Sequence, residues 1–131
     1  MFSSEQPQVL YLESDDDTRI LIKMMLEQSG FRVTAITDDE QCLEQVEKNQ
    51  YDLILLEHTS FGLSGLTLCS TIRETALETP ILFFSSRAFP KDKAAALQAG
   101  AQSYLVKPND LSRLTHEVSR LIRERETVQT H

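Results

Sequence analysis

Four groups of residues in this chain could manage a phosphoryl group or a hard cation: the acidic run Glu13, Asp15, Asp16 and Asp17, the lone carboxylate Glu57, the hydroxyls Ser85 and Ser86, and Lys107. Carboxylates are the natural ligands of a small divalent cation, and a lysine neutralises the oxygens of a transferring group. The combination says more than any member. Taken alone, Glu57 is a solvated strand end or a partner for Lys107, the serines are ordinary hydroxyls, and Asp15 to Asp17 are helix caps.

What joins the four groups is their place along the chain. Each follows a short apolar run, and the apolar period switches repeatedly between β-like and helical, the pattern of strands alternating with helices around a parallel sheet. Strands are predicted at Val9 to Leu12, Phe31 to Ile36, Tyr51 to Glu57, Ile81 to Phe84 and Ser103 to Val106. The stretch YDLILLE reads as the central strand, covered on both faces. The first helix starts at Asp15 to Asp17 and reaches Gly30, with Ile20, Leu21, Met24 and Met25 as its inward stripe and Ile22 and Leu26 out of phase. The second runs from Asp38, with Gln41 completing a capping arrangement, to about Asn49, and turns Leu43 and Val46 inward. After a loop from Gly62 to Gly65, the third carries Leu66, Cys69 and Ile72 and runs to about Leu77. The fourth opens at Pro90 and closes at Gly100, and the last, capped by Asn109 or Asp110, presents Leu111, Leu114, Val118, Leu121 and Ile122. The fold class expected is α/β, one (βα)5 domain over residues 1–131 with its core at about 8–123 and a frayed charged end over 124–131. In such open sheets ligands collect at the carboxyl ends of the strands, where all four groups fall.

Composition narrows the function. With 131 residues, 40% of them hydrophobic and 25% charged, the chain can bury a core without disulfides or metal. Cys42 and Cys69 have neither CxxC nor zinc-type spacing and read as small core residues in a reducing compartment. Apolar runs are too short to span a bilayer and no leader pattern opens the chain, so a soluble cytoplasmic protein with no membrane contact is expected. A net charge of −7 without a Lys/Arg block disfavours nucleic acid as a partner.

The blocks VLYLESDDDTR, YDLILLEHTSFGLSGLTLCSTIR, PILFFSSRA and LQAGAQSYLVKP resemble the successive blocks of response-regulator receiver domains, the CheY-like family, over Val9 to Ile122. The resemblance implies a doubly wound three-layer sandwich with five parallel strands in the order 2-1-3-4-5. In that family two acids after strand 1 and an Asp ending strand 3 bind Mg²⁺, and the Asp takes a phosphoryl group from a histidine kinase. Matched by position, Glu13 falls on the first acid, Ser14 on the second, Glu57 on the phosphoacceptor and Thr59 on the residue whose carbonyl helps hold Mg²⁺. Ser85 falls on the switch hydroxyl, Tyr104 on the switch aromatic and Lys107 on the phosphate-contacting lysine. The dipeptide Lys107-Pro108 resembles one that is commonly cis in the family.

Two matches depart from the pattern at its chemical centre. Ser14 puts a neutral hydroxyl where a carboxylate ligand is expected, which weakens Mg²⁺ binding. Glu57 keeps its charge but carries an extra methylene, which pushes its oxygens toward Lys107, and in-line phosphoryl transfer tolerates such misplacement poorly. A permanent charge near Ser85 and Lys107 would partly imitate a phosphorylated state, and Ser85 turned inward with Tyr104 buried would mark that active-like form. Asp15 or Asp16 reaching into the pocket would instead rebuild a cation site. Arg87 is a second cation candidate for Glu57, Phe61 and Phe89 either form a docking surface or pack over the pocket, and His58 is given no role.

The reading that results is a pseudo-receiver, not an enzyme and with no required cofactor beyond weakly held Mg²⁺. It would bind a histidine kinase, another regulator or an effector through the face made by the fourth helix, fifth strand and fifth helix. Its oligomeric state does not follow from the sequence. Two rivals stand beside it: a working phosphoreceiver, supported by Glu13, Ser85 and Lys107, and a flavodoxin-like FMN carrier, opposed by the carboxylates after strand 1.

Overall fold

The computed structural model describes residues 6–57, 65–76 and 78–129. Five short strands, β1 (Gln8–Leu12), β2 (Arg32–Ile36), β3 (Leu53–Leu56), β4 (Ile81–Ser85) and β5 (Ser103–Val106), pair in parallel in the order β2-β1-β3-β4-β5. The connecting helices are α1 (Asp16–Gln28), α2 (Asp39–Lys48), α3 (Gly65–Thr75), α4 (Pro90–Gln98) and α5 (Leu114–Gln129). The α/β class, the alternation and the strand order all match expectation.

Alternation along the central strands builds three layers, because successive side chains leave opposite faces. Leu10, Leu12, Ile54, Leu56, Ile81, Phe83 and Tyr104 pack with Cys42 and Val46 of α2, Leu68, Cys69 and Ile72 of α3 and Ala96 of α4. Val9, Tyr11, Leu53, Leu55, Leu82, Phe84 and Leu105 pack with α1 and α5 on the other side. Burial pushes the thiol of Cys42 up to about 12 and that of Cys69 to about 11, so both behave as core residues.

The helix ends follow the sequence signals closely. Asp15 caps α1 by accepting from the Thr18 amide, and Asp38 caps α2 by accepting from that of Gln41, whose own side chain accepts from Thr37. Gly30 and Gly100, at φ 99° and 115°, close α1 and α4 in a conformation that other residues adopt poorly. Asp110 does not cap the last helix; its carboxylate accepts from the Val106 amide, and a 3₁₀ turn, Leu111–Arg113, intervenes before α5. Helix α5 runs to Gln129, and Arg125 donates to the Tyr51 carbonyl.

The inward stripe of α1 is Ile22 and Leu26, with Met25 partly buried against them. Ile20, Leu21 and Met24, assigned inward from the sequence, are about half exposed on the opposite side. Six apolar residues lie within the seven positions from Ile20 to Leu26, so two phases fit the pattern, and the cap at Asp15 together with the β1 and β2 surface selects one. Ile22→Ala is therefore expected to cost about 3 kcal/mol in urea unfolding, and Ile20→Ala under about 0.5 kcal/mol. Equal losses would contradict this placement of the helix.

Candidate functional site

Strand pairing puts the chemical residues side by side. Leu12 of β1 is opposite Leu56 of β3, so Glu13 and Glu57 follow as neighbours, and the Glu57 amide continues the ladder by donating to the Leu12 carbonyl at 3.3 Å. On the other side Ser85 pairs with Val106, and the Lys107 amide donates to the Ser85 carbonyl at 2.8 Å. Lys107-Pro108 is cis. The sheet thus brings together Glu13, Ser14, Glu57 and Lys107, with Ser85 one strand away. Thr59, His58 and Phe61 lie outside the described residues.

Glu13 has no exposed surface and its carboxylate is heavily engaged. Oε1 accepts from Lys107 Nζ at 2.9 Å and from the Tyr11 hydroxyl at 3.3 Å, and Oε2 accepts from the Asp15 amide at 3.1 Å. Burial pushes its acidity above the ordinary carboxylate range, and a hydrogen bond with the Glu57 carboxyl adds to the rise; Lys107 and the Asp15 amide oppose it. Tyr11, fully buried beside this charge, is held far above the usual phenol value, chiefly by burial. Arg19 donates to the Glu13 carbonyl and fixes the backbone there.

Glu57 is held from the other side. Its Oε2 accepts from both the amide of Ser14, at 2.9 Å, and the Ser14 hydroxyl, at 3.1 Å, while Lys107 Nζ stands 3.8 Å from Oε1. Ser14 is accordingly a donor clamp on the carboxylate. Asp15 and Asp16 are occupied elsewhere: hydrogen bonds from Thr18 hold the Asp15 carboxyl below its ordinary value, and Asp16 pairs with Arg19 at 2.7 Å. Both thus face partners of α1, and among the described residues no three His, Cys, Asp or Glu side chains converge on a cation site.

At the next strand, Ser85 is buried, and its hydroxyl accepts from the Arg87 amide at 3.1 Å and shares a hydrogen bond with Tyr104. The Tyr104 hydroxyl donates to the Arg87 carbonyl at 2.8 Å, and its ring stacks on Phe83 with centroids 5.7 Å apart. Tyr104 is 9% exposed, and burial raises its phenol. Arg87 turns away from Glu57 to Asp92, 3.4 Å off. Phe89 does not cover the pocket: it is 69% exposed, with Lys91 over its ring.

Sequence reasoning singled out Glu13, Ser14, Glu57, Ser85, Tyr104 and Lys107, and the structure gathers them at one end of the sheet. It passed over Tyr11, although a residue two positions before Glu13 on a strand shares its face. It also passed over Arg19, four positions after the acidic cap and three after its ion-pair partner Asp16, and Asp92, whose burial inside a short Ala-rich helix leaves no mark in the apolar pattern.

Comparison with known proteins shows the family and the fold. The family described as response regulator receiver domain matches residues 9–119. The transcriptional regulatory protein CseB of Streptomyces avermitilis is 37% identical over 120 residues, which are 92% of this chain and 51% of that protein. The chain therefore spans about half the length of such curated relatives. The receiver domain of sensor histidine kinase PA1611 from Pseudomonas aeruginosa, solved with a magnesium ion in its active-site cleft, superposes with a TM-score of 0.81 at 30% identity, covering 89% of this chain and 98% of that one. A CheY-like receiver protein from Methanospirillum hungatei has the same fold at a TM-score of 0.88 and 20% identity, over 94% and 98% of the two chains.

Proposed function

Because the chain belongs to the response regulator receiver domain family of two-component systems, we propose that it signals by protein contact, without taking up a phosphoryl group. The observation that carries this reading is the Glu57 carboxylate, gripped by both donors of Ser14 and flanked by Lys107. A phosphoacceptor must present an oxygen in line with the phosphorus. Here Oε2 spends its lone pairs on Ser14 and the longer side chain sets Oε1 3.8 Å from Lys107 Nζ, so the carboxylate's charge lies close to where a bound phosphoryl group would put one.

The switch residues support the same reading. Ser85 is turned in and Tyr104 is buried against Phe83, the arrangement expected of an active-like receiver. An FMN carrier gains nothing from this geometry, since the loop after β1 holds a buried carboxylate and an acidic helix start where a flavin phosphate would need donors.

For the partner, a histidine kinase, another regulator or an effector, we assign the face formed by α4, β5 and α5. Phe89 and Leu97 are exposed at α4, and on β5 and α5 Ser103 donates to Glu117, whose carboxyl the Arg120 guanidinium holds down to about 2. Exposed apolar anchors and a preorganised charge cluster suit a protein interface. The cytoplasm is the setting this reading implies; among the described residues no helix is long and apolar enough to cross a membrane.

Incubation with a small phosphodonor and Mg²⁺, followed by intact mass, tests the proposal. The native chain is expected to stay at its starting mass, while the Ser14→Asp, Glu57→Asp double variant gains one phosphoryl group. A stable gain by the native chain would establish a working phosphoreceiver instead.

A further inference from the structure

The acidic pocket does not fit a divalent cation. A hard cation of this size takes several oxygen ligands and draws on carboxylate charge for its affinity. Of the positions that supply that charge in a receiver, Ser14 is neutral and both of its donors point at Glu57. Each oxygen of the Glu13 carboxylate already accepts from a donor of the chain itself. Lys107 Nζ lies 2.9 Å from Glu13 and 3.8 Å from Glu57, so one positive charge of the chain already serves both carboxyls.

We infer that the two departures from the family pattern are one device, in which the chain's own donors replace the cation. The Lys107 ammonium supplies the positive charge shared by Glu13 and Glu57. The amide and hydroxyl of Ser14 supply the contacts that hold the longer Glu57 carboxylate in place. Ser14 and Glu57 are then matched: a carboxylate at 14 would face Oε2 across the distance now spanned by a hydrogen bond, and an aspartate at 57 would draw back from the Ser14 donors by about one carbon–carbon bond. The inference rests on the reading of Glu57 as a fixed charge. It adds that the site's conformation is indifferent to metal.

Calorimetric titration with Mg²⁺ alone, on the full chain and two variants, tests this. Native protein is expected to give no saturable heat at millimolar Mg²⁺. The Ser14→Asp, Glu57→Asp double variant, which restores the acid count and shortens the acceptor, is expected to bind at least about tenfold more tightly. Lys107→Met is expected to gain Mg²⁺ binding as well, because the carboxylates it leaves unpaired take their cation from solution. An accompanying thermal scan should show Mg²⁺ raising the midpoint of both variants and leaving the native one unmoved. Native protein that binds as tightly as the double variant would overturn the inference, and so would a folded Lys107→Met protein that ignores Mg²⁺. These outcomes are separate from phosphorylation. Native protein that binds Mg²⁺ but gains no phosphoryl group would sink this inference alone, whereas one that gains the group without binding Mg²⁺ would sink the proposed function alone.

Discussion

Phe83→Ala is expected to cost about 4 kcal/mol in denaturant unfolding, the range for removing a fully buried aromatic side chain. Phe83 lies in the middle of β4, paired with Leu56 of β3 and Tyr104 of β5, and its ring faces the α2–α3–α4 layer. The loss should reach beyond stability. Tyr104 stacks on this ring at an interplanar angle of 11°, and its hydroxyl reaches the Arg87 carbonyl from that position. Without the ring beneath it, Tyr104 keeps one hydrogen-bonded end and loses its apolar support. A double-mutant cycle with Tyr104→Ala should return a coupling of about 1 kcal/mol. Additive losses would mean that the stacking does not hold Tyr104 inward.

Lys107→Met should cost about 3 kcal/mol at pH 7, because it leaves the buried Glu13 carboxylate without its counter-charge. The pH dependence separates charge from packing. Burial and the neighbouring Glu57 raise the folded-state value of Glu13 above its ordinary 4.5. A carboxyl with a raised folded value favours the folded state fully below the unfolded value, and that favour is lost as pH rises through the folded value. Removing Lys107 raises the folded value further. The measured cost of the substitution should therefore shrink as pH falls from 7 toward 4.5, since the protonated Glu13 needs no cation. An equal cost at pH 5 and pH 7 would assign the effect to the lost lysine stem, which lies 5.9 Å from the Phe84 ring at its ammonium end.

Much of this site was legible before any coordinates. Short apolar runs stopped by charged residues fix where strands end, and parallel pairing then brings those ends together whatever the details of the helices. Glu13, Glu57, Ser85 and Lys107 follow from that rule, and the serine at 14 and the extra methylene at 57 are visible as residue types. What the serine does is not visible. Its two hydrogen bonds to Oε2 depend on how the chain turns between β1 and α1, which the cap at Asp15 sets. The phase of α1 was illegible for a different reason: apolar residues cover most of its circumference, so periodicity alone cannot choose between Ile22 with Leu26 and Ile20 with Met24. Asp110 resembles a helix cap because caps and turn residues draw on the same short side chains, and only the geometry shows that it accepts from Val106.

The most direct test of the proposed reading is the environment of the Tyr104 ring, followed by aromatic NMR before and after addition of a phosphodonor with Mg²⁺. The reading predicts a Tyr104 resonance shifted by the Phe83 ring from the outset and unchanged by the additions. A ring that begins in a solvent-exposed environment and moves against Phe83 only after the donor arrives would contradict it, and would make this chain a receiver that waits for phosphate.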